Sequence, residues 1–267
     1  KNGVKIIKTK YSYDELLKII KYYKPHIIFN LAGESNPRLS WIKINNSRRS
    51  IIDITINFLE IIRIFSNKTK YFNCSSSEIY GINKKKVTEK NNFNPDNPYG
   101  CFKTTSHLLV QIYRSKYKLF TTNGILFNHE SKRKKSGFLI NKIIEFCLEN
   151  KHNNKKLILK NSHSVRDFAH ADDIAEGMIK VMSIKKPDDF IISGGTVRSV
   201  KKITFEILQN LNIKKNRVIF LNNKEDVRAN DIKIANNNKI KKIIKWKPKF
   251  KNKKLILKLI NERIINA

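Results

Sequence analysis

The stretch HIIFNLAG, residues 26–33, predicts a buried strand that runs into a turn of small residues. Residues 70–72, KYF, predict the end of a buried strand that leads into the polar run NCSSSEIYG, and FTTNGILF at residues 120–127 predicts a further strand. Helical patterns lie between these strands, beginning at Ser12 and over residues 44–65. Strands that alternate with helices predict an α/β fold with a doubly wound, mostly parallel sheet.

The start of the chain lacks the feature with which such a sheet normally opens. A dinucleotide-binding sheet begins with a strand and a Gly-rich phosphate loop, but no Gly-x-x-Gly-x-x-Gly run occurs in the sequence. Val4–Ile7 predicts a strand that would be about the third of the complete fold. We therefore expect a fragment without its first two βα units, or a degraded gene. A protein that never bound a dinucleotide is the alternative.

The chain is strongly basic, with 55 Lys and Arg against 22 Asp and Glu and a formal net charge of +33. The lysines are spread along the whole sequence together with Ile and Asn, as a composition bias would produce, so no specific nucleic-acid partner is predicted. The sequence contains neither a run that could span a bilayer nor a secretory signal pattern, so no membrane association is predicted. The three cysteines are odd in number and are expected to be reduced, which predicts a cytoplasmic protein. Neither the cysteines nor the six histidines have the spacing of metal ligands, so no metal is predicted.

Tyr99 and Lys103 point most directly to chemistry. Residues 97–98 predict a helix start, and a Tyr and a Lys four positions apart share one helix face. A Lys ammonium beside the phenol would lower its pKa and make it a proton acceptor for an alcohol. Ser76 and Glu78 follow a predicted strand end and, two apart in extended backbone, would point the same way. The alternatives are that Tyr99 and Lys103 lie on an ordinary solvated helix face, and that Ser76 belongs to a plain turn.

Further short stretches lie in order along the chain. They are NLAGES at residues 30–35, SSSEIYG at 75–81, PYGCFK at 98–103, GILFNHES at 124–131, RDFAHADD at 166–173 and WKP at 246–248. Together they resemble the GDP-mannose 4,6-dehydratase family of extended short-chain dehydrogenases, and GILFNHES is the most specific of them. The resemblance implies a Rossmann-type sheet without its first βα units and a smaller C-terminal substrate-binding lobe.

The resemblance implies a reaction on GDP-mannose with NADP as the cofactor. Tyr99 would take the O4 proton while C4 gives a hydride to NADP, and Glu78 would remove the C5 proton as water leaves C6, which then receives the hydride. Ser76 would hydrogen-bond the sugar near O4, and Lys103 would also bind the nicotinamide ribose. Such an enzyme is a hydro-lyase. Another nucleotide-sugar dehydratase or epimerase, or an inactive truncated remnant, is the alternative.

The resemblance also implies the residues that bind the two ligands. The implied cofactor contacts are Leu31, Ala32, Gly33, Glu34, Ser35, Tyr99, Lys103, His129 and Lys134. The implied sugar-nucleotide contacts are Asn128, Arg133, Arg166 and Arg228. Within one domain, residues 1–130 and 164–197 would mainly hold the cofactor, and residues 131–163 and 198–267 mainly the sugar nucleotide. A homo-oligomer, dimer or tetramer, is implied as well.

Two departures from the family pattern concern cofactor binding. Lys134 stands where relatives carry an Arg, which removes a bidentate guanidinium. Residues 8–10, KTK, stand where relatives carry Gly-Asp-Leu, so the Asp expected beside the adenine is missing.

Overall fold

The computed structural model describes residues 3–82, 85–134, 136–221 and 231–264. The helices are α1 (Tyr13–Tyr23), α2 (Pro37–Ile42), α3 (Ile44–Arg48), α4 (Ile54–Phe65), α5 (Pro98–Tyr117), α6 (Leu139–Glu149), α7 (Ala171–Val181), α8 (Val200–Asn210), α9 (Asn238–Ile244) and α10 (Lys253–Ile264). The strands are β1 (Ile27–Asn30), β2 (Lys70–Ser76), β3 (Lys86–Val87), β4 (Thr121–Leu126), β5 (Asn128–Glu130), β6 (Leu157–Lys160), β7 (Val165–His170), β8 (Phe190–Ile192), β9 (Thr196–Ser199), β10 (Val218–Leu221) and β11 (Ile232–Ala235). The predicted α/β class with mostly parallel strands is confirmed.

The chain divides into two compact units. The first comprises Lys1–Gly81, Phe93–Gly124 and Ile184–Asp189, and the second comprises Ile82–Asn92, Ile125–Ser183 and Phe190–Ala267. The division into a cofactor lobe and a sugar-nucleotide lobe concerns binding and stays a prediction.

The first unit is built on neighbouring strands β1, β2 and β4. Strands β1 and β2 are parallel, with Ile27 opposite Lys70 and Asn30 opposite Asn73. Side chains of α1, α4 and α5 form one apolar cluster on the sheet; its buried members include Leu16, Ile20, Phe58, Leu59, Ile62, Tyr71 and Val110. This packing fixes the carboxyl end of β2 beside the beginning of α5.

Local signals decide where α1 begins and ends. The Ser12 hydroxyl accepts a hydrogen bond from the Glu15 amide, which is half of a capping box, whereas the Glu15 carboxylate accepts the Lys10 amide at 2.6 Å. Lys24 ends the helix in a left-handed conformation just before Pro25. The strand predicted at Val4–Ile7 is wrong. Val4 and Ile6 are 78% and 88% exposed, and no strand of the described residues pairs with this segment.

The long helical stretch predicted over residues 44–65 is confirmed, but it contains a π-helical segment at Arg49–Asp53. The segment lies beside the turn that follows β1. A Cβ on Gly33 would lie 2.9 Å from Cγ1 of Ile51, and the Ser50 hydroxyl accepts the Glu34 amide at 3.2 Å. The helix and the small-residue turn are therefore in direct contact.

The second unit contains parallel strands in the order β3, β11, β7 and β5, with β9 antiparallel to β7. Strands β6 and β10 form a separate parallel pair. Helices α6, α8 and α10 share a core; its buried members include Ile140, Ile144, Phe168, Ile207, Leu255 and Leu259. Among the helices of the described residues, none has the length and apolar character needed to cross a membrane.

Candidate active site

Ser76 and Glu78 lie at the carboxyl end of β2, but not in the arrangement that the sequence predicts. Strand β2 ends at Ser76, and Ser77–Tyr80 form a single 3-10 turn. The Ser76 hydroxyl caps this turn by accepting the Glu78 amide at 3.2 Å. The two side chains are therefore not on one face of an extended strand, because the hydroxyl bends the backbone that follows it.

Helix α5 begins as predicted. Asn97 is the N-cap, its Oδ1 accepts the Gly100 amide at 3.0 Å, and Pro98 occupies the first turn. The Tyr99 amide has no partner within the helix at this position, and it donates to the hydroxyl of Ser40 in α2 at 3.0 Å. Ser40 is fully buried. The backbone of Tyr99 is thus held from two sides.

Lys103 lies one turn after Tyr99, and its side chain points back to β2. Its Nζ donates to the carbonyl oxygen of Cys74 at 2.7 Å and lies 5.8 Å from the centre of the Tyr99 ring. The side chain is buried, and this burial lowers the pKa of the ammonium.

Tyr99 does not have the lowered pKa that the Tyr–Lys pair predicts. Burial is the main cause that raises the pKa of its phenol above the ordinary value, although a hydrogen bond with the Ser76 side chain acts in the opposite direction. The charges of Glu78 and Glu34 also raise it. The predicted direction is therefore wrong, because burial keeps the phenol protonated at neutral pH.

A buried polar network that sequence reasoning missed supports the same strand and helix. The imidazole of His107 lies 3.0 Å from the Ser75 hydroxyl through Nδ1 and 3.2 Å from Asp189 through Nε2. Asp189 also accepts hydrogen bonds from Gln111 and Arg114. Because His107 is 1% exposed, this Ser–His–Asp arrangement has no access for a substrate and serves to fix β2 against α5.

Leu31, Ala32, Gly33, Glu34 and Ser35 form the turn after β1 in the first unit. Leu31 is 62% exposed, and Gly33 has a φ of +124°, a conformation that favours glycine. The Glu34 carboxylate accepts the backbone amide of Ser35 at 2.8 Å and that of the following residue. The carboxylate is thereby tied to its own turn.

The other predicted binding residues that are described lie in the second unit. His129 Nδ1 donates to the carbonyl of Phe127 at 2.9 Å, and burial lowers the pKa of the imidazole, so Nε2 is an acceptor. Lys134 donates to the carbonyl of His129 and to Glu130 at 2.8 Å. Asn128 is half-buried in β5, and Arg133 is exposed.

Arg166 is already engaged by the protein. Its guanidinium donates to the Asp231 carbonyl at 2.8 Å and lies 3.0 Å from the Asp231 carboxylate. Arg228 lies outside the described residues. Of the predicted site residues, the structure thus brings together Ser76, Glu78, Tyr99 and Lys103, all of which lie in the first unit.

His170, Asp172 and Glu262 bring three possible metal ligands within 4.8 Å of one another. Each has a role in the protein itself. His170 Nδ1 accepts the Asp172 amide at the start of α7, and its Nε2 lies 3.2 Å from Glu262 in α10. Glu262 is also paired with Lys258 at 3.1 Å. These contacts tie the RDFAHADD segment to the C-terminal helix.

The residues of the first unit fit the nicotinamide-ribose end of a dinucleotide. The buried phenol of Tyr99 and the buried ammonium of Lys103 are the kind of polar groups that such a ribose needs. The chain contains no Gly-rich loop for the pyrophosphate. The donor set thus fits one half of the cofactor.

A family model, GDP-mannose 4,6 dehydratase, matches residues 11–259. The chain belongs to the GDP-mannose 4,6-dehydratase family. Among its relatives, GDP-mannose 4,6 dehydratase 2 of Arabidopsis thaliana is 31% identical over 92% of this chain and 68% of its own length. GDP-mannose 4,6 dehydratase of Drosophila melanogaster is 32% identical over 70% of this chain and 48% of its own length. The matched part spans about half the length of that relative.

Solved structures share the fold at lower identity. The dTDP-glucose 4,6-dehydratase of Bacillus anthracis, in complex with NAD, has a TM-score of 0.85 and 20% identity, covering 98% of this chain and 79% of its own. The protein RMD of Pseudomonas aeruginosa, complexed with NADPH, has a TM-score of 0.87 and 15% identity, covering 99% of this chain and 90% of its own. These likenesses confirm the Rossmann-like architecture.

Proposed function

We propose that this protein is a hydro-lyase that converts GDP-mannose to GDP-4-keto-6-deoxy-mannose, with NADP as an internal hydride carrier. The observation that carries the proposal is the gathering of Ser76, Glu78, Tyr99 and Lys103 in one unit of a chain of this family. When bound, NADP supplies a hydride acceptor and donor, so the reaction has no net redox change.

Tyr99 is the group that we assign to the O4 proton of the sugar. Its hydroxyl bonds to the Ser76 side chain, which orients the phenol and offers a second hydrogen bond to the same sugar oxygen. Because burial raises its pKa, the Tyr99 phenol keeps its proton at neutral pH. An oxidised nicotinamide carries a positive charge, and a nearby cation favours the phenolate, so we expect Tyr99 to become a base only in the loaded site.

Glu78 is the group that we assign to the C5 proton. Its carboxylate is half-buried and accepts a hydrogen bond from Asn97 at 3.0 Å. Once C4 is a ketone, the C5 proton becomes acidic; a fixed carboxylate can remove it and then give it to the C6 hydroxyl, which leaves as water as the C5–C6 double bond forms. Epimerisation at C4 needs no such base, so Glu78 favours dehydration over the epimerase alternative.

We further propose that Asn128, Arg133, Arg166 and Arg228 bind the sugar nucleotide, since a diphosphate suits guanidinium groups. His129 and Lys134 are proposed to contact the cofactor together with residues 31–35. A cytoplasmic location and a homo-oligomer, dimer or tetramer, belong to the same proposal. The structural neighbours include one complex with NAD and one with NADPH, and NADP is our choice for this chain.

The test is a product assay with GDP-mannose and NADP, in which mass spectrometry detects the loss of one water. We expect product from the unaltered protein and none from Glu78→Gln, while Glu149→Gln, on an exposed side chain, serves as the control. Normal product from Glu78→Gln would remove Glu78 from the mechanism. Product only from another nucleotide sugar would correct the substrate, and no product from any would support an inactive remnant.

A further inference from the structure

Asn97 connects Glu78 to the helix that carries Tyr99. Its Oδ1 accepts the Gly100 amide, while its Nδ2 donates to Glu78 Oε2 at 3.0 Å and to Asp96 Oδ1 at 2.7 Å. An amide nitrogen has two hydrogens and a carboxylate only accepts. The orientation of the Asn97 side chain is therefore determined, because both of its amide hydrogens are used and its oxygen accepts the helix amide.

The position of Asn97 makes this connection stiff. The side chain is 4% exposed, and a charge-assisted hydrogen bond is strongest where water is excluded. Glu78 stands on a short 3-10 turn, whereas Tyr99 is two residues beyond Asn97 in the first turn of α5. One side chain therefore sets both the start of the helix and the direction of the carboxylate.

Other capping residues could do only part of this. Ser, Thr and Asp also accept the hydrogen bond of a helix N-terminus, but Ser and Thr have one short hydroxyl, and Asp has no donor. An Asp at position 97 would also place a like charge against Glu78. Asn is thus the residue that caps α5 and still donates to a carboxylate.

We propose that Asn97 is a positioning residue for the dehydration step: it holds the Glu78 carboxylate in the direction required to reach C5. This inference rests on the proposed function. It predicts that Asn97 matters for the step that uses Glu78 and much less for the step that uses Tyr99.

The first experiment separates the two steps in Asn97→Ser, which keeps a capping acceptor and loses the donor to Glu78. We expect water loss, and the incorporation of solvent deuterium at C5, to slow by about 10- to 100-fold. The KM for GDP-mannose and the initial reduction of NADP should stay within about twofold. Asn97→Asp should slow water loss further. Equal losses in both steps, or none in water loss, would overturn the positioning role.

The second experiment measures the contact itself, without catalysis. In a double-mutant cycle of urea unfolding, Asn97→Ser should raise the unfolding equilibrium constant about 10-fold in the otherwise unaltered protein. In the protein that already carries Glu78→Ala, the same substitution should raise it clearly less. Asn36 caps α2, so Asn36→Ser is the matched control and should be additive with Glu78→Ala. Additive effects for Asn97→Ser would refute the contact. A native protein that forms no product would instead refute the proposed function, so the two failures are distinguishable.

Discussion

Replacing Ser40 by Ala should destabilise the start of α5, although Ser40 lies 59 positions before Tyr99 in the sequence. The Ser40 hydroxyl is fully buried, accepts the Tyr99 amide at 3.0 Å and donates to the Pro37 carbonyl at 2.7 Å. Without it, the Tyr99 amide stays buried with no acceptor, which costs about 1–3 kcal/mol. This energy corresponds to about 5- to 150-fold faster hydrogen exchange at that amide, if exchange follows local opening.

Ser47→Ala is a matched control, because Ser47 is 1% exposed and its hydroxyl has no hydrogen-bond partner among the described residues. Removing that hydroxyl should leave stability unchanged or increase it. The assay is urea unfolding by circular dichroism, together with the exchange rate of the Tyr99 amide. Equal stability of the two variants, with an unchanged exchange rate, would refute the view that Ser40 anchors Tyr99.

Three further predictions concern buried groups. Burial raises the pKa of Asp167 from 3.8 to about 6, despite backbone donors that lower it. The folded state therefore binds this proton more tightly than the unfolded state. The free energy of unfolding should fall by about 3 kcal/mol as the pH rises from the unfolded pKa to above the folded one. Urea unfolding followed by the buried Trp246 should show this slope, and Asp167→Asn should flatten it; an equal slope in both would contradict the assignment. The pKa of Asp189 is lowered, because hydrogen bonds and opposite charges outweigh its burial, so its stabilisation is present above the unfolded pKa and lost on acidification. Asp189→Asn should therefore cost about 3–5 kcal/mol at neutral pH, measured in the same assay, and a loss below about 1 kcal/mol would count against this network. Gly124→Ala would place a Cβ 2.1 Å from the fully buried Phe72 ring and should cost about 1–3 kcal/mol; an unchanged melting temperature would show that the ring can move aside.

Local sequence signals predicted much of the fold, since a helix start depends on few residues. Ser12 and Asn97 each accept an amide hydrogen bond at the beginning of a helix, as their residue types indicate. The Val4–Ile7 strand failed because a strand also needs a neighbour to pair with. Its composition alone could not supply that information.

The candidate site was predictable as a set of residues, but its geometry was not. The turn at Ser77–Tyr80 depends on a hydroxyl that competes with extended backbone. The pKa of Tyr99 depends on burial, which comes from elements distant in the sequence. No sequence motif indicated the role of Ser40 or the contact between His107 and Asp189. The only signal is that His107 follows Lys103 by one helical turn and so shares its face.

A π-turn holds one residue more than an α-turn, and each helical residue turns the chain by about 100° around its axis. Within the segment at Arg49–Asp53, Ser50 and Ile51 contact the turn at Gly33 and Glu34. After it, the side chains of α4 enter the core of the first unit. Deleting one residue here would rotate α4 by about 100° relative to the preceding segment, so only one of these two surfaces could keep its contacts. The additional amino acid thus lets one helix pack against both the small-residue turn and the hydrophobic interior.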